Sequence, residues 1–412
     1  MTLAAKTSRP TVYLDQWVWI RLALAEAGRP RAPADTVALD AIRTASTAGV
    51  TFPLSATHYE ETLRITDPTQ RRDLAAVMAT VSEMRTLRCQ TDLVRQQFLS
   101  ALHETVGRPT FRPPAVEPLG VGFNWAFRGV HAFLRVIDSD GRVVPSIDPI
   151  WLRQINQHAE AAMLAGPADE DLAILAGDGY KHPRAHETDA GNRLAWEQLL
   201  EARLAEDQRP APSELRVWLL ARELSHEYLD LLNSLFVEYR LSFSAISPTA
   251  DGVKSRERAV AFVERVPTLR ISAEMKLEIY RNSSRRWNWN MLRDVDALST
   301  AIPYCDVVVA DKDAVDLVRR TKAPQRHGTA VISRLDELTD LLPDLVARAS
   351  PNDEDANGWG QLAPGKGYSL APPTNLTLQD VKAGCVVRML DADGTPTSSR
   401  DVRCRRRLKT RP

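Results

Sequence analysis

The chain contains no run of about eighteen apolar residues, which leaves no candidate transmembrane helix. It has only four cysteines, Cys89, Cys305, Cys385 and Cys404, far apart and without a CxxC spacing. That pattern reads as free thiols in a reducing compartment, not as a disulfide framework or a structural zinc site. Charge of one sign is also missing: Lys plus Arg and Asp plus Glu stand at 53 each, so no basic coat suited to nucleic acid covers the whole surface. The opening MTLAAKTSRP leads into a strand ended by an acid, not into the apolar stretch of a signal peptide. There is no internal repeat, and no spacing that marks a Ser–His–Asp or Cys–His nucleophile. The expected location is the cytoplasm, with no membrane partner.

Against these absences stand 412 residues, 44% of them hydrophobic, enough for two or three domains. The most informative stretch is RDVDALSTAIPYCDVVVADKD, Arg293 to Asp313. Asp294 and Asp296 stand at the head of an apolar helical run, Pro303 breaks it, and Asp306 leads into a run of valines. Val307 to Ala310 reads as a strand of a parallel sheet, covered on both faces and therefore continuously apolar. Asp311 follows directly, at the carboxyl end of the strand, where open α/β sheets bind ligands. Thr11 to Leu14 reads as a first strand with Asp15 at its end, and Gln16 to Ala27 as the helix after it, for which Asp15 would also serve as N-cap. Val50 to Leu54 reads as a second strand, followed by a helix starting at Ser55 and carrying His58, Glu60 and Glu61. Ser55-x-x-His58 is not a capping box by its residues, because the fourth position is neither Glu nor Gln. Pro68 to Leu87 reads as one long helix.

From Cys89 to Phe243 the patterns are helical, notably 192–207 and 213–239, with a short strand signal only at 141–144. The expected organisation is a first half over 10–88, a helical insertion lobe over 89–250, a second half over 251–349, and a linker with a basic tail over 350–412. His182 and His186 have an i, i+4 spacing, but Pro183 works against a helix there and the HExxH order is missing. Arg222 and His226 resemble the HEPN ribonuclease pair only loosely, with one residue too few between them, and read as helix surface or lobe contact. Arg281, Arg285, Arg286, Trp287 and Trp289 combine cations with flat rings, the means by which proteins hold single-stranded nucleic acid.

Strands and helices alternate on either side of the lobe, so the expected class is an α/β parallel sheet flanked by helices and interrupted by a mainly helical lobe. All the acids can then face one rim, where they would repel unless a cation sat among them. The order of acids is similar to that of PIN-domain nucleases. YLD at Asp15, LSATHYEET with Glu60 or Glu61, DVDALSTAIPYCD with Asp294 or Asp296 and Asp306, and VVVAD at Asp311 carry the resemblance. It covers roughly 10–88 and 250–345; the long insertion and the tail depart from the compact members. The resemblance implies a small parallel α/β/α sandwich and hydrolysis of phosphodiester bonds, usually in single-stranded RNA. The implied catalytic residues are Asp15, Glu60 or Glu61, Asp294 or Asp296, and Asp311. One or two Mg²⁺ or Mn²⁺ ions would sit among Asp15, Glu61, Asp296, Asp306 and Asp311. It leaves open a neutralising protein partner, a homo-oligomer, and a toxin, defence or housekeeping setting. The competing reading is an inactive PIN-like scaffold that binds RNA or a protein. A phosphatase with an Asp nucleophile fits less well, since Asp15-Gln16-Trp17 lacks the second acid.

Overall fold

The computed structural model describes residues 6–7, 9–111, 113–138, 140, 142–144, 149–167, 187–206, 210–246, 252–282, 286–349 and 386–391. The first half runs β1 (Val12–Leu14), α1 (Gln16–Glu26), α2 (Pro33–Thr47), α3 (Ala56–Arg64), α4 (Pro68–Ser82) and β2 (Arg85–Leu87). The middle comprises α5 (Gln90–Val106), β3 (Leu119–Val121), α6 (Phe123–Arg128), β4 (Ala132–Ile137), α7 (Pro149–Ala165), α8 (Glu187–Glu206) and α9 (Pro212–Arg222). A π-helical turn, Glu223–Tyr228, joins α9 to α10 (Leu229–Glu238), and α11 (Gly252–Val263) follows. The second half is α12 (Pro267–Arg281), α13 (Trp289–Ala301), β5 (Val307–Val309), α14 (Lys312–Thr321), α15 (Ala323–His327), β6 (Ala330–Ile332) and α16 (Leu335–Arg348). A last strand, β7 (Val386–Asp391), pairs antiparallel with β4.

The centre is a parallel sheet ordered β1-β5-β6, so strands nearly 300 residues apart lie side by side, Val12 opposite Val307. Strand alternation decides which core each residue enters. Val12, Leu14, Val307, Val309 and Ile332 point into a cluster with α1, α2, α4, α7 and α16. Tyr13, Val308 and Val331 point the other way, into a cluster built from α5 and from α8 through α14. The valine run is apolar throughout because both faces of β5 are buried. The helices expected to form a lobe of their own share this second core with the second half. A buried network ties them there: Lys276 of α12 bonds Glu197 of α8 at 2.8 Å and also Glu223 of the π-turn, which accepts from Ser272 at 2.6 Å. Arg222 pairs with Glu197 at 3.2 Å, and the His226 ring meets Trp196 edge-on, so both are helix contacts.

Three expectations change. Residues 50–54 form only single parallel bridges, Thr11 with Thr51 and Leu54 with Thr86, since Pro53 has no amide to donate to a ladder. This extended segment still links β2 to β1. The helix begun at Pro68 stops at Ser82, because Glu83 and Met84 take positive φ (51° and 56°), and the chain turns into β2. No glycine marks that turn. In the middle, β3 and β4 are strands where helical periodicity dominated. His182, His186, Cys385, Cys404, Arg285, most of the linker and the basic tail lie outside the described residues. Among the described residues no helix is long and apolar enough to cross a membrane.

Candidate functional site: an acidic rim at the sheet edge

β1 and β5 each run straight into a helix, and each transition is an aspartate. Asp15 and Asp311 have nearly the same backbone (φ −67°, ψ 160° and φ −64°, ψ 162°), so both are extended residues at helix starts. Each spends one carboxylate oxygen as a cap, Asp15 accepting from the Gln16 amide and Asp311 from the Ala314 amide, both at 2.8 Å. The Asp15 amide in turn donates to Val309 at 2.9 Å, which locks the strand ends in register. Their charges meet: burial pushes the Asp15 carboxyl up to about 6, Asp311 adds to the rise, and the amides of Gln16 and Asp311 oppose it.

α3 brings the third acid. Its N-terminus is held by His58, whose Nδ1 accepts from the Ser55 amide at 3.0 Å. The sequence argued against a capping box here, yet the imidazole accepts as a Glu would. The other ring nitrogen, Nε2, lies 2.8 Å from the Leu14 carbonyl, the last of β1. A carbonyl only accepts and an amide only donates, so the ring is neutral with its proton on Nε2. Burial holds its pKa down at about 4. The Tyr13 ring stacks on it at 5.0 Å. His58 thereby fixes α3 to the strand end that carries Asp15, and Glu61, one turn on, faces the same rim. Burial pushes Glu61 up to about 7, with Asp15 and Glu60 adding to the rise and Arg293 and Arg64 opposing it. Arg293 stands 3.7 Å from the Glu61 carboxylate. Glu60 is raised by burial and by Asp296.

The other predicted acids are placed differently. Asp296 is held at both oxygens by Arg193 of α8, at 2.8 and 2.9 Å, and the same guanidinium reaches Glu227 at 2.8 Å. Asp294 lies partly buried on α13, where its charge acts on Arg293. Asp306 is not on this rim. It precedes β5, accepts from the Thr11 amide at 2.9 Å and from Arg348 at 3.3 Å, and so lies at the other end of the sheet. Five rises of about 3.3 Å each separate it from Asp311. Its expected role as a metal ligand is corrected accordingly: it anchors the start of the strand.

Among the described residues no group of three or more His, Cys, Asp and Glu side chains is gathered closely enough to hold a metal ion. Asp15, Glu61 and Asp311 suit Mg²⁺ or Mn²⁺ in donor type, being carboxylates that repel one another in a desolvated place. Asp296 does not, because its oxygens are taken. A cavity of about 420 Å³ lies elsewhere, lined by residues such as Arg319, Gly328 and Val331 around the start of β6.

Of the residues expected to contact nucleic acid, Trp287 is buried beside Tyr280 and cannot stack on a base. Its signal, an aromatic next to arginines, came from packing. Arg281 is exposed and bonded to Glu278, and Arg286 is exposed and reaches Glu201 at 3.3 Å. Trp289 is half-buried at the start of α13, with the Arg64 guanidinium 5.8 Å from its ring centre. Arg64 and Arg293 escaped the sequence reading, although Arg64 lies three residues from Glu61 and Arg293 stands next to Asp294. Arg193, distant in sequence from Asp296, gave no signal at all. Compared with known family models, curated proteins and solved structures, the chain matches none.

Proposed function

We propose that this chain is a PIN-like, divalent-metal-dependent nuclease that hydrolyses phosphodiester bonds, most readily in single-stranded RNA. The observation that supports this reading is the meeting of Asp15, Glu61 and Asp311, from three distant stretches, at the carboxyl edge of one parallel sheet. Asp15 adds to the rise of the Glu61 carboxyl there, and Asp311 adds to the rise of Asp15. As they stand, these carboxylates are not gathered closely enough to enclose an ion; drawn together around Mg²⁺ or Mn²⁺ they would supply its oxygen ligands. The bound cation would supply an acidified water and neutralise charge on the reacting phosphate. The caps at Asp15 and Asp311 fix two carboxylates without side-chain searching. Burial raises both Asp15 and Glu61, and a cation among them would favour their charged forms. Arg293 balances the charge on Glu61.

The test is cleavage of a labelled single-stranded RNA with added Mn²⁺. Asp15→Asn and Asp311→Asn should each slow cutting by about a hundredfold or more; equal cutting by both variants and the parent defeats the proposal. The second reading, a non-catalytic scaffold that binds nucleic acid, gains from the engagement of Asp296 by Arg193 and from the lack of a closed ligand set among the described residues. Titration of the parent with Mn²⁺ alone separates the two, since only the nuclease needs the ion.

A further inference from the structure

Two arginines, Arg64 and Arg293, lie beside Glu61 at the acidic rim. α3 carries Glu61 and then Arg64 at its last turn; α13 begins with Trp289 and carries Arg293 one turn later. These helix ends face each other. The Arg64 guanidinium lies 5.8 Å from the centre of the Trp289 ring, and Arg293 Nη1 lies 3.7 Å from Glu61. Arg64 and Arg293 are near enough for their like charges to oppose each other. The Nη2 of Arg293 is buried with no hydrogen-bond partner among the described residues. A buried N–H left without an acceptor costs stability, which bears on what the site is for. Two guanidiniums held together beside carboxylates would repel each other, and an anion between them relieves that repulsion while accepting the spare N–H group. Arginine forks match phosphate geometry, and an indole face next to them offers a base a stacking surface.

We propose that Arg64 and Arg293, with Trp289, form a phosphodiester-binding subsite that seats a nucleic-acid strand beside the acidic rim. The ligand is a single strand, whose unpaired base can lie on the half-buried indole while its phosphate bridges the guanidiniums. The subsite deepens the nuclease reading and rests on it for the orientation of the strand, but binding itself does not require cleavage. It assigns to the rim a division of labour: carboxylates for the ion, and phosphate-holding cations on α3 and α13.

The experiment measures fluorescence anisotropy of a short labelled single-stranded RNA, and of a DNA of the same sequence, with no divalent ion present. Arg64→Gln and Arg293→Gln should each weaken binding about tenfold, and each should lower the slope of log affinity against log salt by roughly 0.7. Trp289→Leu should weaken binding with little change in that slope. Arg348→Gln, which removes the same charge at the opposite end of the sheet, serves as the control and should bind like the parent. Arg293→Lys keeps the charge and guards against loss of fold, checked by thermal melting; it should retain the salt slope and lose part of the affinity. A preference for RNA over DNA, or none, identifies the strand that the subsite takes. Binding by both arginine variants as tight as the parent's, or no binding of either strand by the parent, overturns the subsite. If the parent binds strands through these arginines yet neither takes up Mn²⁺ nor cuts, the nuclease reading fails and the subsite stands.

Discussion

At the scale of single residues, the rim sets burial against charge, and pH exposes the contest. The Glu61 carboxyl has its pKa raised from 4.5 to about 7, burial being the first cause and Asp15 the second. A carboxyl that holds its proton more tightly in the fold than in the unfolded chain favours the fold below about pH 4.5, and that advantage is lost as pH rises through 7. Glu61→Gln should therefore raise stability by about 1–3 kcal/mol near pH 8, the loss of the Arg293 contact opposing part of the gain. The advantage should vanish near pH 4, as read by urea melts at the two pH values. A variant that is less stable than the parent at high pH would show that the Arg293 pair outweighs burial. The sequence displayed this acid, but it could not choose between Glu60 and Glu61. Only the direction in which α3 leaves Ser55 settles which one feels Asp15.

Among elements, two contacts position the rim. His58 joins the N-terminus of α3 to the end of β1 through the Ser55 amide and the Leu14 carbonyl. Replacing it by Ala leaves both groups without a partner and opens a cavity, for an expected loss of about 2–4 kcal/mol. The pH signature is opposite to that of Glu61. Burial lowers this imidazole from 6.5 to about 4, so the stability it contributes is present above 6.5 and lost as pH falls through 4. His58→Ala should flatten that fall, and an unchanged acid limb in the melting curve would refute the neutral tautomer. The second contact is the fork of Arg193 on Asp296, which fastens α8 to α13. A double-mutant cycle with Arg193→Gln and Asp296→Asn should return a coupling of about 1–2 kcal/mol, measured by urea unfolding. Helix periodicity revealed α8 and α13 individually, but a pair 103 residues apart in sequence leaves no local trace of which arginine meets which acid.

Across the whole molecule, the sheet is assembled late in the chain, because β1 has to wait for β5. A chain ending at residue 306 keeps β1 but removes β5, β6 and α16, which cover its edge and close its core. It should lose the cooperative urea transition followed by circular dichroism; a sharp transition with full helical signal would mean that the helical layers stand without the sheet. Local chemistry determined much by itself. The valine run specified a strand buried on both faces, the aspartates after Leu14 and Ala310 marked where strands become helices, and apolar spacing located most helices. It erred where a turn used Glu83 and Met84 in place of glycine, and where an aromatic beside arginines was core. What only the tertiary structure decided is the company each charge keeps. Asp306 and Asp311 look alike in sequence and lie at opposite ends of one strand, while Arg64 and Arg293 meet because distant helices pack against the same sheet edge. Charges act through space over a few ångströms, and chain order does not encode those distances until the core has closed.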